Sequence, residues 1–148
     1  MTLFFPDLNV WLALSDDGHP HNAVAWEWLN GLAHDSTLIF SRYTQIGLLR
    51  LLTNTAVMGN KTLILREAWA VYDGWLQDPR VEFYPEPRNV EAGFGQTTEP
   101  FASKPASKWV GDCWLLAYAV STEARLVTFD QALGDFALKQ GHRAVIPA

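Results

Sequence analysis

Residues 2–14 read Thr-Leu-Phe-Phe-Pro-Asp-Leu-Asn-Val-Trp-Leu-Ala-Leu. A short Phe-rich run of strand length, 2–5, gives way at Pro6 to a stretch of helical period, 7–14, with Asp7 at the opening of the helix. Four more apolar runs of strand length follow, at 37–40, 81–84, 126–129 and 144–146, and helical periods fill 21–33, 42–52, 61–76, 108–122 and 131–139. Strands alternating with longer amphipathic helices predict an α/β domain around a mainly parallel sheet of about five strands. At 148 residues the chain suits a single domain, 1–148, with one sizeable core. It is 49% hydrophobic, 13% aromatic and 18% charged, too apolar for a disordered chain.

Some function classes drop out at once. The lone Cys113 excludes an internal disulfide framework, and four scattered His with one thiol make no zinc pattern. A reducing, cytoplasmic setting fits that usage. Residues 3–14 lack a preceding Lys or Arg and contain Asp7 and Asn9, unlike a signal peptide, and no run approaches the roughly 20 apolar residues of a membrane span. A net charge of −5 argues against holding nucleic acid mainly by a large positive field. It leaves room for an enzyme whose acids hold a metal that touches phosphate.

Asp112 is the most informative residue. The run Trp-Val-Gly-Asp-Cys-Trp-Leu-Leu-Ala-Tyr-Ala-Val, 109–120, is apolar around nearly the whole helical circumference, with one carboxylate inside it. A buried, unpaired carboxylate costs several kcal/mol, so something must compensate it. The bland compensation is Lys108, one turn earlier, or a backbone donor; the functional one is a metal. Asp7 and Asp130 each follow a strand and open a helix, a place where Asp serves as an N-cap worth about 1 kcal/mol. Together the three predict more, because open α/β sheets bind ligands outside their strand carboxyl ends. Three acids meeting there would repel one another unless a divalent ion neutralised them. An all-oxygen set without Cys or clustered His suits Mg²⁺ or Mn²⁺. Asn9 and Thr128, two residues from Asp7 and Asp130, are placed to orient those carboxylates or metal-bound water.

At these residues the sequence resembles the PIN-domain nucleases, specifically the VapC-type toxin ribonucleases of bacterial toxin-antitoxin pairs. The matching pieces are Pro6-Asp7-Leu8-Asn9-Val10-Trp11-Leu12-Ala13-Leu14, His19-Pro20-His21, Thr44-Gln45-Ile46-Gly47-Leu48-Leu49-Arg50-Leu51-Leu52-Thr53, Gly111-Asp112-Cys113-Trp114-Leu115-Leu116-Ala117 and Leu126-Val127-Thr128-Phe129-Asp130. They stand in family order and span nearly the whole chain. The resemblance implies a PIN-like three-layer α/β sandwich and a Mg²⁺- or Mn²⁺-dependent endoribonuclease whose acidic site is Asp7, Asp112 and Asp130. It also implies RNA as substrate, a cognate antitoxin that holds the enzyme inactive, and a homodimer, with no membrane. One departure stands out: many family members carry a Glu where this chain has Gly47, with Gln45 two residues earlier as a polar helix residue or a holder of metal-bound water. The competing reading is a degenerate PIN-like module that works by binding a protein partner. A receiver-like phospho-acceptor is disfavoured, because no Lys follows a late strand in the expected way and Asp112 lies inside a helix.

The remaining residues sort by position. Arg42 and Arg50, eight apart, share a helix face and could contact RNA, while Arg50 among leucines could equally pair with one of the Asp residues. Lys104 and Lys108 lie at the end of 85–107, a Pro-, Gly- and Thr-rich segment expected to be mostly loop, with a turn of helix near 89–94, and to serve as a lid or a surface excursion. Leu65, Trp69, Tyr72 and Leu76 form one helical stripe, a core or dimer face. His19 and His21 belong to a turn entering a helix, Cys113 is a small core residue, and the seven Trp are mostly core and interface.

Overall fold

The computed structural model describes residues 1–148. Four parallel strands, β1 (Thr2–Pro6), β2 (Ser36–Phe40), β3 (Val81–Phe83) and β4 (Arg125–Val127), form one sheet in the order β3-β2-β1-β4. The chain builds outward from β1 through β2 to β3, then crosses back to lay β4 on the other side of β1. Strand order therefore reverses between β1 and β4, and the crevice at the carboxyl ends of that pair is the ligand position of an open α/β sheet.

The helices are α1 (Leu8–Ser15), α2 (Asn22–Asn30), α3 (Arg42–Leu52), α4 (Thr55–Met58), α5 (Leu65–Gln77), α6 (Val90–Thr98), α7 (Val110–Ser121) and α8 (Gln131–Lys139). None is long and apolar enough to cross a membrane. Alternation along the strands splits the core in two, as a period of two requires. Phe4, Leu38, Phe40 and Val127 face one layer, with Trp11, Leu29, Leu48 and Tyr72 of α1, α2, α3 and α5. Phe5, Ile39 and Leu126 face the other, with Leu116, Tyr118 and Phe136 of α7 and α8. Trp11 is fully buried and lies flat on Phe40 at 3.8 Å between ring centroids. Helices on both faces make the expected three-layer sandwich.

The expected fifth strand is absent. Residues 144–146 contribute only the parallel bridge between Val127 and Val145, through Val145 N–H to Leu126 O at 2.7 Å and Thr128 N–H to Val145 O at 2.9 Å. The next bond of a parallel ladder would need a donor at position 147, and Pro147 has none. The segment expected to be mostly loop is largely helical: α6 spans Val90–Thr98, and a 3₁₀ turn follows at Glu99–Phe101. Its glycines and threonines lower intrinsic helicity, but packing on α7 overrides that preference. Thr97 Oγ1 lies 2.9 Å from the Cys113 carbonyl, and Cys113 Sγ donates to the Thr97 carbonyl at 3.3 Å, stitching the two helices together. The helix expected over 61–76 starts later, at Leu65, because 55–61 forms α4 and a 3₁₀ turn that Gly59 bends away with φ 58°.

Candidate active site

Asp7 leaves β1 and caps α1. One carboxylate oxygen accepts the backbone N–H groups of Asn9 and Val10 at 3.0 and 3.2 Å, and the other accepts the Thr128 hydroxyl. Thr128 is fully buried just beyond β4, and its own hydroxyl oxygen accepts the Asp130 N–H at 2.9 Å. Asp130 in turn caps α8, accepting from the Ala132 and Leu133 N–H groups at 2.9 and 3.3 Å. A continuous relay, Asp130 backbone to Thr128 hydroxyl to Asp7 carboxylate, thus closes the crevice between β1 and β4. Its two ends are 123 residues apart in sequence, with Asp7 at one and Asp130 at the other.

Asp7 is only 5% exposed, and burial drives its pKa up to about 6; the Thr128 and backbone hydrogen bonds pull it down, and the charge of Asp112 adds to the rise. Asp112 sits in the first turn of α7, half-buried, and its pKa is raised by desolvation and then by Asp130. The three acids therefore share one electrostatic neighbourhood. They do not close into a finished cage, since no three acidic, His or Cys side chains stand within coordinating reach of one point. The Lys108 compensation for Asp112 is not formed. The ion pairs of the chain are Met1 with Asp35, Lys61 with Asp16 and Asp17, and Arg80 with Asp78, so no protein cation neutralises Asp7, Asp112 or Asp130. Carboxylates and a hydroxyl, with no thiolate or imidazole among them, form a donor set that fits a hard divalent cation such as Mg²⁺.

The supporting residues divide. Thr128, placed by its spacing beside Asp130, accepts only the Asp130 backbone N–H and turns its hydroxyl onto the Asp7 carboxylate instead. Asn9 contributes its backbone N–H, while its side chain is exposed and makes no hydrogen bond to Asp7. Gln45 is buried and its side-chain oxygen accepts from Arg42. Arg42 also lies over the Phe83 ring at 4.5 Å, which ties it to the α3 and β3 side of the carboxyl edge. Arg50 is exposed and ion-paired to no Asp, so the internal pairing considered for it is not made. His21 stacks on Phe129 at 4.5 Å, holding the turn before α2 against the strand exit that carries Asp130.

Two neighbours of the site escaped the sequence. A side-chain carbon built on Gly47 would overlap Leu8, so the space beside Gly47, where the family resemblance led to the expectation of a Glu, is filled here by the residue after Asp7. A helix-interior glycine flanked by Ile46 and Leu48 was the available signal, but nothing local says which side chain takes the space. Tyr43 reaches from α3 across the start of α7, its hydroxyl against Gly111, and stacks on Trp114 at 5.2 Å. It brings an exposed aromatic ring next to Asp112.

Comparison with known proteins agrees with this geometry. The family model described as PIN domain matches residues 4–139. Ribonuclease VapC41 of Mycobacterium tuberculosis is 38% identical over 136 residues, which cover 88% of this chain and 90% of that relative. Among solved structures, VapBC2 from Rickettsia felis, bound to a fragment of promoter DNA, matches with a TM-score of 0.69 at 15% identity, over 98% of this chain and 97% of that one. M. tuberculosis VapC20, a toxin that cleaves the sarcin-ricin loop, matches with a TM-score of 0.66 at 16% identity, over 97% and 98%. At those identities the solved structures speak for the fold. Together with the family match and the full-length relative, they show that the chain belongs to the PIN-domain family, among its VapC-type members.

Proposed function

We propose that this chain is a divalent-metal-dependent endoribonuclease that hydrolyses RNA phosphodiester bonds as the toxin of a toxin-antitoxin pair. The observation that carries the proposal is a buried carboxylate, Asp7, held in place by Thr128 and two backbone donors, with Asp112 nearby and no protein cation to neutralise either. Structure alone would not retain such an arrangement, because an uncompensated buried charge is destabilising. The relative named Ribonuclease VapC41 supports the reaction class.

Asp7, Asp112 and Asp130 would hold Mg²⁺ or Mn²⁺, which when bound polarises the phosphate and lowers the pKa of attacking water. The chain's own residues do the positioning. The backbone N–H groups of Asn9 and Val10 fix one oxygen of Asp7 at the start of α1. Thr128 fixes the other oxygen and ties it to the Asp130 backbone, so the acids at the ends of β1 and β4 keep one spacing. Asp112 sits on a separate element, α7, and approaches from across the crevice. With Gly at position 47 and Leu8 packed against it, three acids rather than four would serve the site.

An amphipathic antitoxin segment that places a Lys or Arg among these acids would silence them, and the complex would weaken as salt rises. The VapBC complexes among the structural relatives support a partner of this kind. The exposed stripe Leu65, Trp69 and Leu76 on α5 supports a homodimer through that face; Tyr72 of the same stripe instead turns inward against Phe40. The one thiol, Cys113, is buried and free, consistent with action in the cytoplasm.

The test is cleavage of total cellular RNA by the purified chain with Mn²⁺, with EDTA, and with Asp112→Asn. Loss of cleavage in both of the latter is expected. Undiminished cleavage by Asp112→Asn would remove the metal site as drawn.

A further inference from the structure

Beside the start of α7, a slot of about 180 Å³ opens between that helix and the segment that follows α6. Phe101, Ala102, Lys104, Ala106, Trp109 and Cys113 line it. Cys113 forms its floor and is immobilised by the Thr97 stitch to α6. Phe101 and Trp109 stack on each other at 4.9 Å and both pack on Phe136, so the aromatic side of the slot is rigid. Ala106, at the rim, has φ 24°, a left-handed conformation that is costly for a residue with a side chain and is found where surrounding structure enforces it.

Three features select the occupant. The slot is smaller than the roughly 300 Å³ lower limit usual for small-molecule pockets, which suits one planar ring rather than a whole metabolite. Lys104 lines it and Lys108 adjoins it, both exposed and free of ion pairs, in a chain whose net charge is −5. A flat apolar ligand with an anionic backbone matches that pattern. Trp109 stands one helical turn before Asp112 and Cys113 directly follows it, so the slot flanks the turn of α7 that carries this acid. Single-stranded RNA is recognised by splaying bases onto aromatic and apolar side chains while cations hold the backbone.

We propose that this slot receives one unstacked base of the RNA substrate, next to the nucleotide whose phosphate lies at Asp112, with Lys104 on the adjoining phosphate. The inference rests on the ribonuclease reading and adds a specificity-determining subsite to it. The helical segment 90–101 acquires a role as well, because α6 and the turn after it build one wall of the slot.

The experiment uses a short single-stranded RNA that the wild-type chain cleaves, and the same RNA with one abasic nucleotide at each position in turn. Binding is measured to Asp7→Asn, which keeps the RNA intact, and to Asp7→Asn carrying Ala102→Phe, which plugs the slot from its exposed rim. Removal of one particular base should weaken binding by Asp7→Asn about tenfold, in line with stacking of a single base. Ala102→Phe should weaken binding of the unmodified RNA by a similar factor and add little for that abasic RNA, the non-additivity of two changes to one contact. Lys104→Gln should lower affinity without changing which base matters, and should flatten the salt dependence. Equal tolerance of every abasic position, or additive losses with Ala102→Phe, would overturn the subsite while cleavage itself stands. A wild-type chain that cleaves no RNA would overturn the ribonuclease reading, and the subsite with it.

Discussion

β1 and β2 each leave the sheet straight into a helix, and they cap that helix with different chemistry. At the exit of β2, Ser41 accepts the Thr44 N–H at 3.1 Å while Thr44 Oγ1 accepts the Ser41 N–H at 2.9 Å, a closed and neutral capping box that is fully buried. At the exit of β1, Asp7 performs the same service for α1 with a carboxylate whose pKa is driven up to about 6 by its burial. A cap needs one acceptor oxygen, not a charge. The excess charge at Asp7 is a structural cost that Ser41 shows to be avoidable, and it lies at the crevice where strand order reverses. The comparison separates what holds the fold from what the crevice is for.

The comparison breaks most directly with Asp7→Asn. The amide keeps a capping oxygen and loses the charge, so RNA cleavage should fall at least ~100-fold, each tenfold being 1.36 kcal/mol of barrier, while the melting temperature holds or rises. Retained cleavage would reduce Asp7 to a cap.

Acidity provides the next largest effect. The folded protein binds the Asp7 proton more tightly than the unfolded chain, so this group favours the native state below the unfolded value of 3.8, and that contribution is lost as pH rises through about 6. In metal-free protein its share of the unfolding free energy should fall by roughly 3 kcal/mol across that window, measured by urea melts, and Asp7→Asn should remove that slope. Mn²⁺ binding, which needs the carboxylate, should strengthen over the same range.

Thr128→Val sharpens the comparison from the other end of the relay. Without the hydroxyl, Asp7 loses the hydrogen bond that most favours its charged form, and metal affinity should drop 10- to 100-fold, read as a weaker rise of melting temperature with Mn²⁺. The smallest effect belongs to the neutral cap. Ser41→Ala should cost about 1 kcal/mol of stability in the same urea melts and leave the Mn²⁺ response unchanged.

Much of the molecule is legible in its local sequence. The helix over 42–52 starts at a Ser with Thr three residues on, and the helix over 131–139 starts after an Asp; both run as expected, because caps and apolar period agree locally. The three acids are legible for the same reason, each occupying a recognisable strand exit or an otherwise apolar helix. The segment 85–107 departs from expectation because its glycines and threonines report only local preference, whereas its helix is held by Thr97 and Cys113. The fifth strand fails on one missing donor, at Pro147.

Periodicity, capping residues and the placement of charge are properties of a few neighbouring residues, and from them the chain determined its α/β alternation, its two-faced strands and its three candidate acids. What only the tertiary structure decided is which distant groups meet. Thr128 bonds Asp7 across 121 residues because β4 returns to the open edge of β1. Leu8 takes the space beside Gly47 because α1 crosses α3 there. Such meetings are fixed by strand order and helix packing, whose energies are summed over whole layers and written in no single stretch of sequence.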